Sequence, residues 1–256
     1  MNTPIRVLER SFKILKFILL KGEVSVTDIS RELGLAKSTV HRILNSLKQL
    51  GFVSQHAFLK KYGPGPEFAK ITSNTLVSHK MFVMCADKEI KTLRDITDET
   101  VVLHIRNGLT RICIAEYRSR QNLKYTVGVG TNFPIYTGAS GKVLMASLEG
   151  NELRHILEIV DMQPLTDKTI VNKEDFIKEI EKVRKQGYAT SFGERAKGSS
   201  CISVSVKDYA VPVALSVLGP ESRMNLEKAC EMLPVMQKIA ELISSNYKNY
   251  VSKMQA

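Results

Sequence analysis

The stretch Ser25-Val-Thr-Asp-Ile-Ser-Arg-Glu-Leu-Gly-Leu-Ala-Lys-Ser-Thr-Val-His-Arg-Ile-Leu-Asn-Ser-Leu47 decides the fold of the amino-terminal part of this chain. Ser25 with Asp28 three residues on has the spacing of a capping box, with Asp in place of the usual Glu. A short helix should follow, through Leu33. Gly34 can adopt positive φ and turn the chain sharply. Leu35 then acts as an apolar plug, and a second helix is expected from Lys37 to Leu50. Its inner face is Val40, Ile43, Leu44 and Leu47. Its outer face is Lys37, Ser38, Thr39, His41, Arg42, Asn45 and Lys48. Two helices joined by a short glycine turn form a helix-turn-helix, whose second helix can enter the major groove of DNA.

Working outward, residues 5–20 carry apolar side chains every three to four positions (Val7, Leu8, Phe12, Ile14, Leu15, Ile18, Leu19), and Gly22 ends that helix. Downstream, Phe52–Gln55 and Leu59–Tyr62 read as two strands around a turn at 56–58, a wing carrying Lys60 and Lys61. Residues 1–80 hold 13 Lys and Arg against 5 Asp and Glu, most of the chain's net charge of +11. A concentrated positive field attracts a phosphate backbone. Arg42 and Thr39 sit where base edges come within reach, Arg being able to donate two hydrogen bonds to guanine. Lys37, Ser38 and the helix amino terminus suit phosphate, as do Lys60 and Lys61. The expected DNA-contacting set is Thr27, Lys37, Ser38, Thr39, His41, Arg42, Asn45, Lys60 and Lys61.

Gly65-Pro66 is a helix-start signal, and one long helix is expected from Pro66 to about Asp95. The pattern then changes. Thr100–Arg106 and Thr110–Tyr117 flank Asn107-Gly108, a strong hairpin signal. Asn122–Val127 alternates like a strand. Helices are expected at about 141–160 and 172–186, the latter capped by Asn172 and closed by Gly187. Cys201–Val206 and Val213–Leu218 read as strands, and residues 222–253 as a final helix. The class is α+β.

Residues 128–146 invite a phosphate-loop reading that fails, because Tyr136 stands where glycine is required and Val143 where Ser or Thr is required. No G-x-S-x-G is present either. A small-residue turn, Gly138-Ala-Ser-Gly-Lys142, opens a helix whose free amides would favour an anion. The same glycines also suit a tight strand-to-helix packing. Ser203, Ser205 and Ser216 place hydroxyls in apolar strands, where ligand, backbone or water could partner them.

The segments Ile29–Val53 (ISRELGLAKSTVHRILNSLKQLGFV) and Lys61–Ile71 (KYGPGPEFAKI), with PIYTGASGK, GYATSFGE and VALSVLGP further on, resemble the isocitrate-lyase-regulator (IclR) family of bacterial transcription regulators over most of the chain. The resemblance implies a winged helix-turn-helix at 1–65, a linker and dimerisation helix at 66–95, and a GAF-like effector-binding domain at 96–256. It places Gly138, Ala139, Cys201 and Ser216 where family members contact small organic acids, and Glu194 at an acidic position beside the pocket. Together with Ser140 and Ser203 they form the expected effector set. Ser191 stands where aspartate is common, Tyr136 where histidine is common, and Leu218 where a second serine is frequent. These departures imply a less hydrophilic pocket. The implied effector is a small organic or aromatic acid, and the implied target is a palindromic double-stranded operator held by a homodimer or tetramer.

Other classes fit less well. As a nucleophile Cys201 would need a base, and the last histidine is His155. A nucleoid protein would not need the glycine- and serine-lined second half. Cys85, Cys113, Cys201 and Cys230 form no C-x-x-C pair, and no histidine has metal-ligand spacing. No cofactor is expected. The longest apolar run is Phe17–Leu20, and the first residues lack signal-peptide organisation. A cytoplasmic repressor rather than an enzyme is the expectation.

Overall fold

The computed structural model describes residues 5–72 and 75–255; Met1 to Pro4, Ser73, Asn74 and Ala256 lie outside the described part. The chain divides into two compact units, 1–78 and 79–256.

In the first unit, α1 (Arg6–Lys21), α2 (Val26–Leu33) and α3 (Lys37–Gln49) are followed by β1 (Val53–Gln55) and β2 (Tyr62–Pro64). The capping box forms in full. The Ser25 hydroxyl accepts from the Asp28 amide at 3.2 Å, and the Asp28 carboxylate accepts from the Ser25 amide at 3.0 Å. Gly34 takes φ +63°, the left-handed value the turn requires. Ile14, Leu15 and Ile18 meet Ile29, Val40, Ile43, Leu44 and Leu47, with Val53 and Tyr62 of the wing closing the core. The outer apolar positions Val7, Leu8, Phe12 and Leu19 stay exposed. The wing hairpin starts later than expected. Its return strand is Tyr62–Pro64 rather than Leu59–Tyr62, because Tyr62 also pairs with Val24. Lys60 and Lys61 therefore lie in the wing loop and not on a strand, with Lys60 in the left-handed region at φ +50°.

The expected single helix over 66–95 is not formed. Helices α4 (Pro66–Thr72) and α5 (Thr75–Ser78) belong to the first unit, the chain leaves helical geometry at His79, and α6 (Lys80–Thr97) begins the second. The split has a packing cause. Phe68 of α4 meets Phe52 of the first unit edge-on at 5.5 Å, whereas Phe82, Ala86, Ile90 and Leu93 of α6 are buried in the second core.

The second unit contains β3 (Thr100–Asn107), β4 (Thr110–Tyr117), β5 (Asn132–Pro134), α7 (Gly138–Ala146), α8 (Gly150–Ile159), α9 (Lys173–Gln186), β6 (Tyr188–Phe192), β7 (Ser199–Val206), β8 (Val213–Pro220) and α10 (Leu226–Gln255). The strands make one antiparallel sheet, in the order β5-β4-β3-β8-β7-β6. Val101, Leu103, Ile105, Leu215 and Val217 face α6 and α10. The opposite face supports α7, α8 and α9 through Ala189 and Ala214. A sheet covered on both sides accounts for the nearly unbroken apolar run of β8, all eight of whose residues are buried. Asn172 caps α9 by accepting from the Glu174 and Asp175 amides. Asn122–Val127 forms no strand, because the β4 edge is taken by Gly130 and Asn132. It crosses the sheet end instead, with the Val127 amide on the Glu116 carboxylate. Among the described residues no helix is long and apolar enough to cross a membrane.

Candidate DNA-contacting face and effector pocket

Helix α3 presents Lys37, Ser38, His41, Arg42 and Asn45 to solvent, with Thr39 half-buried; Thr27 on α2 and the wing's Lys60 and Lys61 are exposed as well. Among the described residues, Lys37, Arg42, Lys60 and Lys61 form no ion pair within the chain. Such unengaged cations beside a protruding helix keep their full attraction for phosphate. The inner face holds the helix firmly, with Val40 and Leu44 completely buried. Lys48 donates to the Gln55 side chain at 3.0 Å and ties α3 to the wing. Unlike α2, α3 starts without a side-chain cap, from Ala36.

In the second unit a small cavity, about 30 Å³ in volume, lies under the amino terminus of α7, walled by β3, β4, β7, β8 and the loop after β6. Its turn is built by glycine. Gly138 sits at φ +68°, and a side chain at Gly141 would collide with the Ile135 carbonyl oxygen at 2.1 Å. Of the expected effector set, Gly138, Ala139, Ser140 and Cys201 line the cavity. Glu194, Ser203 and Ser216 are not among its lining residues. The Glu194 carboxylate is bonded to the buried Lys142 ammonium at 2.6 Å, and the same ammonium binds Glu179 and the Thr190 carbonyl at 3.1 Å. Ser203 and Ser216 bond to each other at 2.7 Å. Burial is the main cause that raises the Glu194 pKa, with Lys142 opposing it.

The lining also holds residues that the sequence reading passed over: His104, Arg111, Arg195, Phe133, Ser199 and Ser200. Polar and charged side chains thus stand beside the apolar Val102, Val127 and Leu218 of the same wall. Ser191 and Leu218 do line the wall, but its polarity comes from β3, β4 and the loop after β6. Arg111 is only 2% exposed. One guanidinium nitrogen donates to the Pro134 carbonyl and to the Thr137 hydroxyl, at 2.5 and 3.1 Å, while Nε has no partner. Both ring nitrogens of the buried His104 and the hydroxyl of the buried Ser200 are also unpartnered. Arg111 and Arg195 lie against the ring of Phe133 at 5.4 and 4.7 Å. Burial pushes the Arg111 pKa down to about 9, helped by the charge of Arg195, so it remains a cation at neutral pH. Burial and then the two arginines hold His104 well below its ordinary value, as a neutral ring. Cys201 is pushed up to about 11, chiefly by burial, and stays a thiol. Among the described residues no group of His, Cys, Asp and Glu could hold a metal.

A family model described as bacterial transcriptional regulator IclR C-terminal matches residues 74–245, and the IclR helix-turn-helix domain model matches residues 7–57. The chain belongs to the IclR family. It is 30% identical to the HTH-type transcriptional regulator KdgR of Escherichia coli, over 93% of this chain and 92% of that protein. It is 27% identical to the Escherichia coli repressor AllR, over 94% and 89%. The crystal structure of the Thermotoga maritima IclR superposes with a TM-score of 0.63 at 30% identity, covering 94% of this chain and 98% of that one. As an IclR-family protein the chain is a DNA-binding transcriptional regulator with an amino-terminal helix-turn-helix and a carboxyl-terminal α+β domain.

Proposed function

We propose that this chain is a repressor whose hold on its operator is controlled by a small anionic organic acid bound under α7. One observation carries the reading: three buried side chains around one cavity, Arg111, His104 and Ser200, have polar atoms with no partner in the protein. Buried polar groups are ordinarily satisfied, and an unmet buried donor is costly. A carboxylate supplies acceptors for guanidinium and hydroxyl together. The amides at the start of α7 and the thiol of Cys201 complete the enclosure.

On the DNA side, Arg42, Thr39, His41 and Asn45 read base edges, Thr27, Lys37 and Ser38 hold phosphate near the reading helix, and Lys60 and Lys61 hold it from the wing. A homodimer, or a tetramer built from it, engages a palindromic operator in the cytoplasm, each protomer taking one half-site. The acid favours one of two arrangements of the assembly, and its differential affinity sets the shift in DNA binding. Repression is supported by the relative AllR, a transcriptional repressor. Fluorescence anisotropy on the DNA upstream of the chain's own gene tests the reading, with a scrambled duplex as competitor and a panel of carboxylic acids added. Selective binding that an acid changes is the expected result; indifference to sequence, or to every acid, would overturn it.

A further inference from the structure

We infer that the pocket selects a ligand with two anionic groups, a small organic acid whose second anionic group is a carboxylate or a phosphate. The inference rests on the effector reading above and makes it narrower. Two guanidinium groups, Arg111 and Arg195, converge on the Phe133 ring that lines the cavity. Neither forms an ion pair among the described residues. The acidic side chain next to Arg195 in sequence, Glu194, is bonded to Lys142 together with Glu179. The buried Arg111 and the half-buried Arg195 thus pair with no carboxylate among the described residues. A monoanion bound to the buried Arg111 would leave the half-buried Arg195, whose charge acts on Arg111, uncompensated beside it.

Arg195 is also held in place. Thr166 donates to the Gly193 carbonyl at 2.7 Å, Thr169 to the Glu194 carbonyl at 2.6 Å, and Tyr125 to the Lys197 carbonyl at 2.8 Å. With a further bond from Thr166 to the Glu194 carbonyl at 3.2 Å, four hydrogen bonds from outside the loop fix the backbone on both sides of Arg195. His104 provides a separate indication of a ligand. It is a neutral ring with one donor and one acceptor nitrogen, neither partnered within the chain, in a wall it shares with Arg111 and Arg195.

Isothermal titration calorimetry on the full chain at pH 7.5 tests this. The probes are succinate and malate, 3-phosphoglycerate, and the monoanions butyrate, lactate and pyruvate. One of the two classes with a second anionic group, the dicarboxylates or the phosphorylated acid, should bind at least tenfold more tightly than the monoanions, and the class that does so identifies the second group. Arg195→Gln should reduce that ratio to near one, and Arg195→Lys should restore part of it; melting by circular dichroism verifies that both variants fold. Monoanions binding as tightly as the acids with two anionic groups, or Arg195→Gln weakening both alike, would overturn the inference while leaving the effector reading intact. Failure of every acid to bind would overturn both.

Discussion

Replacing Arg111 by Met separates a residue kept for a ligand from one kept for the fold. The side chain is fully enclosed, and its charge has no anionic partner. Enclosing an ion costs several kcal/mol after relaxation, and each hydrogen bond from a charged group returns roughly 1.5–3 kcal/mol. Arg111 makes two such bonds, to the Pro134 carbonyl and the Thr137 hydroxyl. Both acceptors survive its removal, since Thr137 donates to the Pro134 carbonyl at 3.0 Å. Methionine fills a similar volume against Phe133 and Cys201. Without ligand, Arg111→Met should therefore be neutral or stabilising by roughly 1–3 kcal/mol, a rise of about 2–10 °C in the melting of a unit this size. A bound acid at 100 times its Kd should add about 2.7 kcal/mol to the parent and almost nothing to the variant. Differential scanning calorimetry with and without acid measures both quantities. A loss of more than about 2 kcal/mol in the ligand-free variant, or an undiminished response to acid, would refute the assignment of Arg111 to the ligand.

Arg42→Ala should weaken binding to the cognate operator by roughly 1–3 kcal/mol in anisotropy titrations, with a smaller effect on scrambled DNA; equal losses would reassign it to phosphate. Lys61→Ala should weaken all sequences alike and reduce the slope of log K against log salt by about 0.9. Affinity for the acid should fall as pH rises through about 9, where Arg111 loses its proton, because the cationic form binds the anion; calorimetry at pH 7.5 and 9.5 compares the two states. Lys142→Met leaves two carboxylates without their cation and should cost roughly 3 kcal/mol at pH 8. The cost should shrink at pH 5 in denaturant titrations. Burial has already raised the Glu194 pKa above its unfolded value, so the folded variant binds a proton more readily than the unfolded chain, and stability declines as pH rises.

The first unit was legible because its signals are local. The capping pair Ser25 and Asp28, the turn at Gly34, and the repeat of Val40, Ile43, Leu44 and Leu47 each act within one or two turns of helix. The hairpin at Asn107-Gly108 and the helix between Asn172 and Gly187 were legible for the same reason. The break at His79 was not, because no glycine or proline marks it; Phe68 packs in the first core and Phe82 in the second. Residues 122–127 alternate, yet another segment had taken the only open edge of β4. The pocket was half legible. Its glycine turn and Cys201 carry local signals, whereas Arg111 looks like the solvent-facing residue of an alternating strand until β5 and α7 cover it. His104 offered the one available clue, a single titratable residue within the apolar run Val101 to Ile105 of a strand buried on both faces.

Helix α3 begins at Ala36 without a side-chain cap, so its leading amides are left for solvent in the free protein. A backbone phosphate placed there would act as the missing cap, and duplex DNA would finish the element that reads it. Docking and local ordering would then be a single event. The amides of residues 37–39 should exchange hydrogen quickly in the free chain and slowly in the complex, and part of the binding enthalpy would come from the helix's own first turn.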